Sequence, residues 1–297
     1  MQINGVRIND TYAEAFRLYG TRFIITAATR EWALEAAQKA AGFATSIIAC
    51  GCEADLEGEL EDTPDGRPGV AVLLFAATAQ QLESQVVDRV GQCVMTCPTT
   101  ACFNGLASPH TINVGGKLRF FGDGWQSSKL IGSSRYWRIP VMDGEFLVEE
   151  TFGYCTDACD GNLLIVGENS RDTLTAAEAA VKSMRQVPGI ILPFPGGIVR
   201  SGSKVGSRYK SLIASTNTSF CPTLRGQVET LIPEGANSVL EIVICGLTIE
   251  AVKHAMGRGI VAACLPGIVE ITAGNYGGKL GEFKINLYDL LSSKSYI

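Results

Sequence analysis

The run Val239-Leu-Glu-Ile-Val-Ile244, followed by Ile249, Val252 and Met256 and then by Pro266-Gly267 and Ile268-Val-Glu-Ile-Thr272, decides the fold class. An apolar strand-forming segment gives way to apolar residues at helical spacing, and a Pro-Gly stop returns the chain to extended structure. That is the pattern of a β-α-β unit. The same pattern occurs three more times upstream. Asn162-Leu-Leu-Ile-Val-Gly leads to Leu174, Ala177, Val181 and Met184, then to Pro188-Gly189 and Ile190-Ile-Leu. Val70-Ala-Val-Leu-Leu-Phe75 leads to a capping box of Thr78 and Gln81, a helix face of Leu82, Val86 and Val90, and then Gly91 before Cys93-Val-Met-Thr. Phe23-Ile-Ile-Thr-Ala leads to a helix with Trp32, Ala36 and Ala40 on one face, a stop at Gly42, and extended Thr45-Ser-Ile-Ile-Ala-Cys50. Two such units in series make the split β-α-β arrangement, an antiparallel sheet with helices on one face. Four predict an α+β protein of two ferredoxin-like (split β-α-β) α/β-sandwich lobes. The seam falls near residue 150, giving an N-terminal ferredoxin-like lobe, 1–150, and a C-terminal one, 151–297. Residues 115–152 read as further short strands with Gly-rich turns such as Phe120-Phe-Gly-Asp-Gly-Trp125.

Of the 297 residues, 46% are hydrophobic and 19% charged, so the chain has enough apolar surface to offset its conformational entropy and is not a disordered polymer. Lys plus Arg number 25 against 30 Asp plus Glu, for a net charge of −5, and there is no Lys/Arg run; a protein that binds by neutralising nucleic-acid phosphates is not expected. The most apolar stretch, residues 70–79, is about half the roughly 20 residues that a bilayer-spanning helix needs. No apolar segment of signal-peptide length follows Met1-Gln-Ile-Asn-Gly-Val-Arg, and the reading is a soluble cytoplasmic protein without a membrane partner. Ten Cys contain no C-x-x-C pair, so the thiols, the Cys50/Cys52 pair included, are expected to be reduced, mostly small core residues, and no metal is expected.

Gly197-Ile-Val-Arg-Ser-Gly202-Ser203-Lys204 misses the phosphate-binding loop because that loop needs Lys and then Ser/Thr directly after its second Gly. No G-x-G-x-x-G follows a strand, and neither ATP nor NAD is predicted. Residues 193–204 either hold an anion through backbone N–H groups and Lys204 or form a turn-rich connection. With only His110 and His254 and no G-x-S-x-G elbow, a Ser-His-Asp hydrolase is not expected. In 239–244, alternation puts Leu240, Ile242 and Ile244 on one face and Val239, Glu241 and Val243 on the other. Glu241 therefore either projects among apolar neighbours, where desolvation keeps a carboxyl neutral near pH 7, or lies on a solvated face.

Gly66-Arg-Pro-Gly69, Gly91-Gln-Cys-Val, Pro193-Phe-Pro-Gly-Gly-Ile-Val199, Ser203-Lys204, Glu241-Ile-Val-Ile and Thr272-Ala-Gly-Asn-Tyr-Gly-Gly-Lys-Leu-Gly281 together resemble the formylmethanofuran:tetrahydromethanopterin formyltransferase family. The resemblance runs from Ile3-Asn-Gly-Val to Leu287-Tyr-Asp-Leu. It implies two ferredoxin-like lobes, a homotetramer, and formyl transfer between the amine of a methanofuran-type carrier and N5 of tetrahydromethanopterin, both acting as cosubstrates with no tightly bound cofactor. Where archaeal members carry Cys-Pro-Ala-Glu-Ala, this chain has Cys50-Gly-Cys-Glu-Ala54, and it is similar to the bacterial branch, a subunit of a larger formyltransferase/hydrolase complex with formyl hydrolase subunits as partners. The family's proposed catalytic glutamate matches Glu241, which implies a protonated carboxyl stabilising the tetrahedral intermediate. Ser203 and Lys204 are expected to bind acidic substrate groups, with Glu53, Gln92, Thr96, Asp123 and Asn275 as further cleft residues within the matched motifs. The alternative is a non-catalytic ligand-binding or scaffolding subunit of a formyl hydrolase complex.

Overall fold

The computed structural model describes residues 1–292. In the first lobe the chain runs through β1 (Arg17–Thr26), α1 (Arg30–Ala41), β2 (Cys52–Leu60), β3 (Gly69–Ala76), α2 (Ala79–Arg89) and β4 (Ala101–Asn104). The sheet order is β4-β1-β3-β2 with every neighbour antiparallel, which is the split β-α-β topology. A hairpin, β5 (Ser134–Val141) and β6 (Gly144–Glu149), extends the β4 edge, with β6 parallel to β4.

The second lobe repeats the design with β7 (Thr151–Gly167), α3 (Ser170–Met184), β8 (Ile190–Ile191), β9 (Ser238–Gly246), α4 (Ile249–Ala263) and β10 (Ile268–Thr272). Its order is β10-β7-β9-β8, again antiparallel throughout. The N-terminal strand Val6–Ile8 lies parallel to β10, so the first residues of the chain belong to the second lobe's sheet. Strand β7 is 17 residues long; its first part pairs with β1 and its second with β9 and β10, and the two sheets are thereby continuous.

Each of the four main helices starts at a side-chain cap, because the first N–H groups of a helix have no partner within it. Thr29, Thr78, Asn169 and Thr248 accept from the backbone N–H of Trp32, Gln81, Asp172 and Ala251. Ala33, Ala36, Ala37 and Ala40 of α1 and Leu82 and Val86 of α2 cover one sheet; Ala177, Val181 and Met184 of α3 and Val252, Met256 and Ile260 of α4 cover the other. The opposite faces of the two sheets meet in a seam of Leu18, Leu73, Phe75, Ala158, Ile191, Cys245 and Leu247. Gly20 is required there: a Cβ on it would sit 2.7 Å from the Phe75 ring.

Several local expectations need correcting. Trp32 and Leu174 are 43% and 45% exposed rather than facing the core, since the helix faces rotate one position onto Ala33 and Thr173. Only Thr45–Ser46 of the 45–50 run is extended; Ile47–Cys50 makes a helical turn. Cys93-Val-Met-Thr is not a strand. Val90–Val94 is a π-helical turn that carries α2 onward, and the lobe's fourth strand is Ala101–Asn104. Within 115–152, Gly115–Gly122 is helical and strands begin at Ser127. Among the described residues no helix is long and apolar enough to cross a membrane.

Candidate active site

The open face of the second sheet is built by alternation. Ile242 and Ile244 of β9 and Leu163 and Ile165 of β7 point into the helix-covered core, so Val239, Glu241, Val243 and Cys245 point the other way. Glu241 stands opposite Leu164, which stands opposite Thr272, making one row across three strands. A long excursion, residues 192–237, folds back over this face. Val199 exchanges backbone hydrogen bonds with Glu241, 2.7 and 3.0 Å, while Phe220, Ile232 and Ala236 pack against Val166 and Val239.

The space left between excursion and sheet is a cavity of about 320 Å³ lined by Glu241, Leu164, Arg200, Asn217, Phe220 and Cys221 among others. Burial pushes the Glu241 carboxyl up to about 7, and among the described residues no hydrogen-bonded partner opposes it. It is thus half neutral near pH 7 and can donate a hydrogen bond to an oxygen in the cavity. Asn217 and Phe220 also line a second cavity of about 500 Å³ that reaches Asn275, Thr11 and Asn9.

The sequence candidates are distributed as follows. Glu241 lines the cavity beneath the excursion, and Asn275 lines the adjoining one, its Nδ2 donating to Thr11 Oγ1 at 3.2 Å. Lys204 lies on the excursion, its Nζ donating to Thr218 Oγ1 at 2.9 Å, and Ser203 beside it is exposed. Glu53 is buried in the seam between lobes, where the Cys245 thiol donates to Oε2 at 2.8 Å and the Ile47 N–H to Oε1 at 3.4 Å. Burial raises its pKa. Gln92 and Thr96 line a different, apolar cavity of about 770 Å³ on the first lobe, with Phe121 and Met142. Asp123 occupies an exposed left-handed turn, φ 52°.

Sequence reasoning missed four groups around the same face. Arg200 lies within the Gly-rich stretch 197–204 and could have been found by that signal. Asp160, opposite Cys245, is driven by burial up to about 8 although the Phe16 N–H donates to it at 2.6 Å. Tyr276 and Glu14 complete the set. Nothing local marks Asp160 or Glu14, because an acid in a strand reads as a surface residue until the sheet's cover is known.

Comparison with known proteins agrees with this geometry. A family model described as formylmethanofuran-tetrahydromethanopterin formyltransferase matches residues 1–141, and one for the proximal lobe of the same family matches 144–290. The formylmethanofuran–tetrahydromethanopterin formyltransferase of Methylobacillus flagellatus is 54% identical over 98% of this chain and 100% of its own length. A subunit of the formyltransferase/hydrolase complex of Methylorubrum extorquens is 50% identical over 97% of each chain. A crystal structure of that complex with methylofuran superposes with a TM-score of 0.95 at 50% identity, covering 98% of each chain. The Methanosarcina barkeri enzyme superposes with a TM-score of 0.91 at 50% identity, covering 98% of this chain and 100% of its own. Two ferredoxin-like lobes with a carboxyl under the covered sheet face are therefore the scaffold of an enzyme, a formyltransferase. The chain belongs to the formylmethanofuran–tetrahydromethanopterin formyltransferase family.

Proposed function

We propose that this chain moves a formyl group between the amine of a methanofuran-type carrier and N5 of tetrahydromethanopterin, with Glu241 as the catalytic carboxyl. In the direction toward the pterin, N5 attacks the formyl carbon and gives a tetrahedral adduct with negative charge on oxygen. The bond from carbon to the carrier nitrogen then breaks, N5 loses its proton and the departing amine gains one, so atoms and electrons balance. The reverse direction uses the same adduct. The observation that carries this reading is the Glu241 carboxyl, lining a covered cavity with its pKa at about 7. A neutral carboxyl donates to the developing oxyanion, where an ionised one would repel it. Substrates filling the cavity displace water and raise that pKa further. Holding both carriers in contact supplies the remaining acceleration by making the encounter unimolecular.

The proposal extends to the surroundings of the site. Lys204 and Ser203, on the excursion, are assigned to acidic groups of the carriers and Asn275 to the adjoining cavity; Gln92 and Thr96 are assigned to the separate first-lobe cavity, and Glu53 in the seam and Asp123 in its exposed turn lie apart from the Glu241 cavity. Both carriers act as cosubstrates that bind and leave. The protein works in the cytoplasm as a homotetramer, and its likeness to a subunit of the Methylorubrum formyltransferase/hydrolase complex supports hydrolase subunits as partners. The lobes divide near residue 150, with the N-terminal hairpin crossing to the second sheet.

The test is formyl transfer from formyl-tetrahydromethanopterin to a methanofuran-type amine. Glu241→Ala is expected to lose roughly two to three orders of magnitude in kcat, the usual cost of one oxyanion donor. Glu241→Gln, which keeps a donor, loses less or comparably, and both variants stay folded. Activity of a folded Glu241→Ala within a few-fold of the parent would remove Glu241 from the mechanism.

A further inference from the structure

Formyl transfer as described leaves unused a carboxylate with unusually complete backbone solvation. Glu14, in the short strand Tyr12–Ala15, is 1% exposed, and each of its oxygens is the acceptor of two peptide N–H groups. Leu280 and Gly281 donate to Oε1 at 2.7 and 2.9 Å; Gly278 donates to Oε2 at 3.0 Å, and the Tyr276 N–H donates to the same oxygen. Burial alone would raise this pKa, but the bonds from Gly281, Leu280, Tyr276 and Gly278 outweigh it and hold the group at about 2. The turn is shaped for the purpose. Gly277 and Gly278 take left-handed φ of 73° and 69°, and a Cβ on Gly281 would come within 2.8 Å of the Ala15 carbonyl oxygen. Successive N–H groups converging on an anion form a nest, and here the anion is the protein's own side chain.

What the turn carries is Tyr276. The chain enters it from Thr272, which shares a row with Leu164 and Glu241, so the row spans about 10 Å at the usual strand spacing. Asn162, in the next row, ties Gly274 down through two hydrogen bonds, 2.5 and 3.2 Å. Tyr276 is half-buried with its ring 6.2 Å from that of Phe16. The Phe16 N–H donates to Asp160, which stands opposite Cys245 on the sheet face that bears Glu241, so the Tyr276 ring beside Phe16 lies toward that face; burial, and then the charges of Glu241, Asp160 and Glu14, oppose ionisation of its phenol.

We propose that Glu14 is a positioning residue for formyl transfer: by gripping the 276–281 turn through four peptide N–H groups, its carboxylate sets Tyr276 at the edge of the Glu241 site. This rests on the reading of Glu241 given above. The turn follows Thr272–Asn275, which line the cavity adjoining that of Glu241, and the phenol keeps a neutral donor near the reacting carriers. A small displacement of such a group costs far more in rate than in stability, because reacting groups must be held within a fraction of an ångström.

The test uses Glu14→Gln, Tyr276→Phe and the double variant in the full chain, with steady-state formyl transfer and amide hydrogen exchange on each. Glu14→Gln is expected to lower kcat roughly ten- to a hundredfold with KM changed by less than about threefold. Exchange should quicken in 276–281 while the β9 amides keep their protection. The double variant should be no slower than the slower single one, because both act through one hydroxyl. Faster exchange in 276–281 with kcat within about twofold of the parent would overturn the proposal, as would additive losses. If Glu14→Gln does not fold, Tyr276→Phe, which leaves the grip intact, decides: a loss of about tenfold or more in kcat supports the proposal, and a smaller loss overturns it. Failure of the underlying Glu241 reading is separate, since it shows as full activity in Glu241→Ala.

Discussion

Strands β3 and β9 occupy the same place in their lobes: each is the third strand of a split β-α-β unit and each runs into a helix capped by Thr, Thr78 in one and Thr248 in the other. Aligned on those caps, Glu241 corresponds to Ala71 and Cys245 to Phe75. Yet β3 is buried at every position, whereas β9 is half-buried around Glu241. The difference lies in what precedes the strand. In the first lobe the chain passes from β2 to β3 through the tight turn 61–68. In the second it makes the 192–237 excursion, which roofs the open sheet face without filling it. The same scaffold thus yields a dry structural strand where a turn is short, and a carboxyl-bearing cavity where it is long.

This contrast between a packing strand and a chemical one can be measured. Phe75 lies in the seam and is fully buried, so Phe75→Ala should destabilise the protein by about 3–5 kcal/mol in denaturant unfolding, as aromatic truncations in cores do. A loss below about 1 kcal/mol would mean the lobes do not depend on this contact. Glu241 gives the next largest effect. Its pKa is raised from 4.5 to about 7 in the free protein, so the neutral form prevails below about 7 and kcat/KM should fall about tenfold per pH unit above it. The linked stability has the opposite reference. The contribution of Glu241 is fully present below about 4.5, is lost as pH rises to about 7, and is constant above that. Glu241→Gln should therefore gain in Tm relative to the parent across this window and lose the alkaline fall in kcat/KM. A parental kcat/KM flat to pH 9 (about two units above that pKa) would remove the neutral carboxyl from the chemistry.

The caps provide a control of smaller size. Thr78→Ala and Thr248→Ala each remove one N-cap acceptor and should each cost about 1 kcal/mol. Equal losses support the equivalence of β3 and β9; a loss at only one of them would contradict it. Smallest of all, Lys204→Ala should raise the KM of at least one carrier by a few-fold with kcat unchanged, as expected for a partly screened charge contact. No change in either KM would leave Lys204 as a brace for Thr218.

The repeat of strand, helix and strand was legible in the sequence because alternation and helical spacing are local, and each unit punctuates itself with Thr, Gly or Pro-Gly. Alternation also assigned Glu241 to the face opposite Ile242 and Ile244, and the helices do cover those isoleucines. Helix rotation was less legible. Trp32 and Leu174 fit an apolar stripe, but small Ala and Thr side chains let the helices approach the sheet closely, and the bulky residues turned outward. Continuation of α2 into a π-helical turn displaced the expected strand at 93–96 for a similar reason, since Val90 and Val94 gain more by packing in the core than by joining a sheet edge.

The period of the units, most of their helix-facing residues and their caps follow from the amino-acid order alone, since these depend on neighbours within one or two turns of chain. Tertiary packing settled the rest: which open face was roofed, that the N-terminal strand closes the second sheet, and that Glu14, Asp160 and Tyr276 surround the same end of it. Those outcomes depend on residues brought together from opposite ends of the chain. A carboxylate in a strand carries no local sign of its surroundings, and its charge state follows from the burial and the N–H groups that meet it only after the sheets have closed.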